Sequence, residues 1–287
     1  MARRKAIDDL SQYRDPRAIP AVLERLQDEN PFVRAIAVDC LGVLRAGQTA
    51  PQIAKLLIED ADRQVRQSAA VALTLLADLS TQEALIKALK DEDDGVRFAA
   101  ARALGIVRAP KGVEALASAL QDKNVEMRRL AAVSLGLIGK PEVAAALRKS
   151  LKDADAGVRQ EAVKSLGTLG DRSVAADIKS ALSDAAPQVQ LQAAIALGRL
   201  GDASGLPLGF KFLQDPEPAL RRDAALLLGT VGDKDKALAA LERALQSEKD
   251  IGVQQMILMS LAQIRVRFGI KPPPPVPAPS KPRQRSP

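Results

Sequence analysis

The chain has no histidine, no tryptophan and a single cysteine, Cys40, in 287 residues. Without histidine there is no imidazole to ligate a metal, to serve as general base, or to activate a serine or cysteine nucleophile. With one thiol, no disulfide can close within the chain. Aromatic residues make up 2% of the sequence against 47% hydrophobic residues overall. A core so poor in rings and so rich in Ala, Leu and Val suits thin layers of closely approaching helices rather than a thick globular interior. No apolar run approaches the roughly 18 residues that span a bilayer. Ala2, Arg3, Arg4 and Lys5 lead into a polar amphipathic stretch, with no apolar segment of a secretory signal. The expected location is the cytoplasm.

The net charge of +7 is unevenly spread. Arg265, Arg267, Lys271, Lys281, Arg283 and Arg285 put +6 into residues 265–287, and Arg3, Arg4 and Lys5 put +3 at the start, which leaves −2 for everything between. A near-neutral body argues against a basic nucleic-acid groove along its length.

What the sequence has in abundance is internal repetition. Val33, Val65, Val96, Met127, Val158, Val189, Leu220 and Val253 recur at spacings of 31 to 33 residues. Four residues after each stands Ala37, Ala69, Ala100, Ala131, Ala162, Ala193, Ala224 or Ile257. Eight residues after each stands a leucine, from Leu41 through to Leu261. Offsets of 0, 4 and 8 share one face of an α-helix, and a small residue in the middle allows a neighbouring helix to approach. Gly42, Gly105, Gly136, Gly167, Gly198 and Gly229 follow the leucine and are expected just past the helix end, at positive φ. A second, preceding helix in each unit is predicted over stretches such as 81–90, 141–152 and 236–246. One such hairpin cannot bury its own apolar stripe, so stacking is required. The predicted fold is all-α: a right-handed α-α superhelical solenoid of about eight helical hairpins over residues 1–264, with a half-repeat cap at 1–14.

Two polar rows share the period. Five residues before the Val position stand Asp28, Asp60, Asp91, Asp122, Asp153, Asp184, Asp215 and Glu248. One residue after it stand Arg34, Arg66, Arg97, Arg128, Arg159, Gln190, Arg221 and Gln254. Each carboxylate is expected to bind turn amides and the arginine of its own repeat, forming a structural ladder rather than a cation channel. Three residues before Val, Asn30, Asp62, Asp93, Asn124, Asp155, Glu217 and Asp250 stand where a helix N-cap is expected, with Ala186 as the exception.

The turn Asp, the Val-Arg pair, the Ala and the terminal Leu-Gly resemble HEAT repeats. The runs 135–147, 166–178 and 197–208 resemble the short bacterial subtype named after phycobilisome lyases. The resemblance covers about residues 2–264. It implies the solenoid fold but not one function, because the class includes scaffolds, regulatory subunits, bilin lyases, a metal-dependent hydroxylase and DNA glycosylases. The hydroxylase's histidine ligands and the glycosylases' aromatic cleft have no counterpart in this sequence. We therefore expect no catalytic residue, no metal and no cofactor. Cys40, beside the buried stripe, reads as a small core residue.

A binding surface has more support. Offsets 2 and 6 lie opposite the Val-Ala-Leu stripe, on what is expected to be the concave side. There Phe98, Arg102, Arg129, Val133, Lys164, Leu191, Ile195, Arg222, Leu226 and Met259 form an apolar strip flanked by cations, the composition of a protein-binding groove. The expected partner is another protein or a peptide segment, bound by a chain that is monomeric alone. A bilin lyase or lyase-chaperone subunit is the alternative that the resemblance implies, and nucleic-acid binding a weaker one. Two places break the pattern. Residues 184–213 combine Ala186, Gln190, Gly205, Pro207 and Gly209, which suggests a bend or a contact site. Residues 265–287 hold eight of the 18 prolines and read as an extended polyproline-type basic tail.

Overall fold

The computed structural model describes residues 7, 10 and 12–271. The half-repeat expected at 1–14 lies largely outside the described residues, and the Pro-rich stretch from Pro272 lies wholly outside them. Among the described residues the chain forms sixteen α-helices and no strand. It divides into two compact units, with the boundary between Gly205 and Leu206.

The first unit pairs α1 (Ile19–Glu24) with α2 (Pro31–Val43), α3 (Ala50–Glu59) with α4 (Arg63–Leu76), and α5 (Gln82–Ala88) with α6 (Asp94–Ile106). It continues with α7 (Val113–Ala119) and α8 (Val125–Ile138), α9 (Val143–Ser150) and α10 (Ala156–Thr168), and α11 (Ala175–Lys179) and α12 (Pro187–Arg199). The second unit pairs α13 (Leu206–Phe212) with α14 (Pro218–Val231), and α15 (Lys236–Ser247) with α16 (Ile251–Phe268). Within the first unit each even-numbered helix packs on the next one, from α2 on α4 through α10 on α12. In the second unit α14 packs on α16 in the same way. The predicted all-α solenoid of helical hairpins is the observed architecture, with the Val, Ala and Leu stripe buried in every repeat. Burying each leucine of the stripe contributes about 1.5–3 kcal/mol, which a single hairpin cannot collect alone.

The start of each even-numbered helix is fixed by its cap. Asn30, Asp62, Asp93, Asn124, Asp155 and Asp250 are extended, and their side chains accept hydrogen bonds from backbone N–H groups in the first turn. Ala186 holds the same extended backbone with no side-chain cap, and Glu217 also makes none.

The glycine after the leucine has a different role from the one expected. Gly42, Gly105, Gly136 and Gly167 lie within the last turns of their helices, not beyond them. A Cβ built on Gly136 would stand 2.3 Å from Ser165 Oγ, one on Gly167 2.6 Å from Ala196 Cβ, and one on Gly105 2.7 Å from the Ser134 backbone. These glycines let successive helices touch. Positive φ comes three residues later, at Gly139, Gly170 and Gly201, and is taken by Arg45, Ala77 and Arg108 in the earlier repeats. Cys40 belongs to the row of small residues at this contact and is fully buried.

In the irregular stretch, Gly205 and Gly209 also serve close approach. A Cβ on Gly205 would meet Ala194 Cβ at 2.3 Å, and one on Gly209 would meet Leu228 Cδ2 at 2.9 Å. Pro207 lies in the first turn of α13, where a missing N–H costs little. The last helix runs past the expected boundary at 264 and ends at Phe268. No breaker precedes Gly269, which turns at φ 65° while the Ile270 N–H donates to the Arg265 carbonyl at 2.9 Å. No helix among the described residues is long and apolar enough to cross a membrane.

Candidate protein-binding surface

The Arg-Asp ladder links neighbouring repeats rather than closing each one on itself. The Arg66 guanidinium donates from Nε to Asp91 Oδ2 at 2.8 Å and from Nη2 to Asp91 Oδ1 at 2.9 Å, in the next repeat. Its Nη1 donates to the carbonyl of Asp60, in its own turn, at 3.0 Å. The same two-way grip joins Arg34 to Asp60, Arg128 to Asp153 and Arg159 to Asp184 in the first unit, and Arg221 to Glu248 in the second. The carboxylate expected to bind its own repeat's arginine therefore binds the preceding one. Each Asp also accepts an amide two residues on, as Asp60 does from Asp62 N–H at 2.9 Å.

Among the arginine rungs, that of Arg97 departs from the rest. Arg97 donates to the Asp91 carbonyl at 2.8 Å, but its Nη2 turns to Asp94 in its own helix and not to Asp122. Asp94 is three residues away on the same face and competes for the guanidinium. Its other oxygen accepts from Asn124 Nδ2 at 3.2 Å, so the link to the next repeat passes through that carboxylate. Asp122 accepts the Asn124 N–H at 2.8 Å. In the second unit Asp215 accepts from the Glu217 N–H at 2.9 Å and, through its carbonyl, from Arg221 at 2.8 Å. Gln190 keeps only the inward half of the grip, donating to the Asp184 carbonyl.

This ladder sets the electrostatics. The Arg128 guanidinium beside Asp153, and that of Arg159 beside Asp184, hold these carboxyls below their ordinary values. Arg221 lowers Glu248 to about 2. Burial alone would raise Asp60, yet Arg34 and the Asp62 amide together hold it low. Asp60, Asp91, Asp153, Asp184 and Glu248 are thus committed to arginine forks. Among the described residues no group of three or more His, Cys, Asp or Glu comes together as a metal site.

The residues expected at the binding face divide in three. In the first unit Arg102, Arg129 and Lys164 are exposed, while Phe98 and Val133 are half-buried. In the second unit Arg222 and Met259 are exposed and Leu226 is half-buried. Leu191 and Ile195, however, are 0% and 2% exposed. They cannot touch a partner. The helix that carries them, α12, buries seven of its thirteen residues around most of its circumference, as an apolar helix in a packed core does.

A different row replaces them. Val43, Leu75, Ile106 and Leu137 stand ten residues after the Val position, at the C-terminal ends of α2, α4, α6 and α8, and are 39%, 40%, 50% and 42% exposed. The same row continues in sequence as Thr168 and Arg199, so the apolar stripe belongs to the first four repeats. The signal was present, since each of these residues follows the repeat's Leu-Gly or Leu-Thr by one position. Its reading as part of the turn concealed it.

Two grooves flank the stripe. One, of about 430 Å³, is lined by Val71, Leu75, Phe98, Arg102 and Ile106 among others. A second, of about 460 Å³, is lined by Arg108, Val133, Leu137, Glu161 and Lys164 among others. Among the described residues the guanidinium groups of Arg45, Arg102 and Arg108 have no hydrogen-bond or ion-pair partner. Arg129 and Lys164 are held only loosely, at 3.6 Å from Glu126 and from Glu161. Apolar surface with cations to spare is what this face offers chemically.

Comparison with solved structures places the fold among known ones. The chain is 24% identical to a chain of the CpcE–CpcF complex of phycocyanin lyase from Nostoc sp. PCC7120, over 75% of this chain and 94% of that one, with a TM-score of 0.53. It is 21% identical to YibA of E. coli over 91% of this chain and 96% of that one, with a TM-score of 0.60. An engineered protein is 22% identical over 91% and 84% of the two chains, with a TM-score of 0.52. Comparison with curated protein sequences gives no match. The model of HEAT repeats matches residues 1–74, 50–134, 113–182 and 175–262, nearly the whole of the repeat array, and the chain belongs to the HEAT-repeat family.

Proposed function

We propose that this chain is a non-catalytic scaffold that holds a segment of another protein against the even-numbered helices of its first unit. The observation that carries the reading is the row Val43, Leu75, Ile106 and Leu137, each a large aliphatic side chain about two-fifths to one-half exposed, with Val71 at 48% beside it. Single exposed apolar residues are ordinary, but a contiguous row repeated on successive helices and rimmed by arginine is the composition of an interface. The absence of histidine supports a binding role over a catalytic one. The likeness to the phycocyanin lyase complex, at 24% identity, is one of fold alone.

The test is a pull-down from native lysate, read by mass spectrometry, with wild type and an Ile106→Asp, Leu137→Asp variant shown by circular dichroism to be equally helical. A protein retained by the wild type and lost by the variant supports the reading. Equal recovery on both baits sinks it. Leu191 and Ile195 are unsuitable positions for such a test, because both are buried.

A further inference from the structure

We infer that the occupant of this face is an acidic, extended segment in the polyproline II conformation, with an apolar side chain at every third residue. The inference rests on the scaffold reading above and adds the chemistry and spacing of the partner.

The spacing comes from the helices. Val43, Leu75, Ile106 and Leu137 hold the same register position on four helices that pack in succession. Packed helices lie about 8–10 Å apart, so the stripe presents one apolar contact per step of that size. A polyproline II segment has three residues per turn and rises about 3.1 Å per residue, or roughly 9.3 Å per turn. One face of such a segment therefore meets one helix per turn. A β-strand, which shows the same face every second residue at about 6.6–6.8 Å, falls out of step by the second helix.

The charge comes from the rim. Arg45, Arg102 and Arg108 are exposed with their guanidinium groups unpartnered among the described residues. On this row of helices only Asp39 opposes them without an arginine or lysine partner. Its carboxyl is pushed upward by desolvation, against a lowering influence of the Ser68 hydroxyl. Unpaired guanidinium groups around an apolar floor select carboxylates, which they bind in two-pronged fashion. The chain's own Pro-rich stretch has suitable backbone chemistry, but Lys281, Arg283 and Arg285 give it the wrong sign.

The experiment titrates the full chain into fluorescein-labelled peptides and reads anisotropy at low and moderate salt. The probes are four repeats of Leu-Pro-Glu, four repeats of Leu-Pro-Lys, and a peptide of residues 271–287. The acidic peptide should bind at least ten-fold tighter than the basic one, and should weaken as salt rises. An Arg102→Glu, Arg108→Glu variant should reverse that preference, and Ile106→Asp should abolish binding of both. Equal affinity for acidic and basic peptides, both lost in Ile106→Asp, would overturn the charge assignment while leaving the scaffold reading intact. Tightest binding by the 271–287 peptide would overturn it in favour of the chain's own tail. No binding by any probe would overturn the partner assignment, and the pull-down then decides the scaffold reading separately.

Discussion

Arg66 and Asp91 belong to different repeats and form a closed two-pronged ion pair, with N–O separations of 2.8 and 2.9 Å and side chains only 8% and 11% exposed. The arginine also caps the carbonyl of its own turn at 3.0 Å. One side chain therefore fixes both the shape of its hairpin and the position of the next.

Arg66→Ala is expected to be costly, because it leaves Asp91 largely buried without its counter-charge. Breaking such a pair costs about 3–5 kcal/mol. Lys55→Ala, which removes an exposed pair with Glu59 at 3.8 Å, is expected to change stability by less than about 1 kcal/mol. Urea unfolding of the two variants checks the contrast, and similar midpoints for both would show that the inter-repeat ladder does not hold the stack.

The ladder also makes stability depend on acid. Glu248 falls from 4.5 to about 2 in the folded chain, and Asp153 and Asp184 are lowered by Arg128 and Arg159. A carboxyl with a depressed folded value stabilises the fold fully above its unfolded value and loses that contribution as pH falls through the folded one. Stability should therefore be flat above about pH 5 and should drop toward pH 2, following the usual carboxylate range. Thermal melts across that range test this, and Arg221→Gln should flatten the Glu248 share of the drop.

Gly136 and Gly139 are three residues apart and should respond to alanine for unlike reasons. Gly136→Ala places a methyl 2.3 Å from Ser165 Oγ and forces two helices apart, at about 1–3 kcal/mol. Gly139→Ala meets nothing closer than 3.7 Å and pays only for φ 69°, about 1–2 kcal/mol. Adding Ser165→Ala should relieve part of the first and none of the second. A double-mutant cycle with no coupling at Gly136 would refute the contact.

Ala186 offers a gain. Its backbone, at φ −96° and ψ 119°, matches that of Asp62 at −88° and 122°, whose side chain caps α4. Ala186→Asp should add about 1 kcal/mol by accepting the Gln188 amide in the first turn of α12. An unchanged or lower melting temperature would show that the neighbouring Gln190 contact already occupies that space.

The period of the sequence determined the hairpins, their number and their buried stripe, because helix faces repeat every 3.6 residues and the spacing of Val, Ala and Leu admits no other face. The caps were equally legible, since Asn or Asp before an apolar run acts locally. Three matters were decided only by tertiary structure. Which repeat each aspartate serves depends on the arginine's reach across a helix contact. Whether glycine marks a turn or a contact depends on what a Cβ would meet, and so Gly136 and Gly139 look alike in sequence. Whether an outward-facing aliphatic residue is exposed depends on everything packed around its helix, which leaves Ile106 half open and Leu191 sealed.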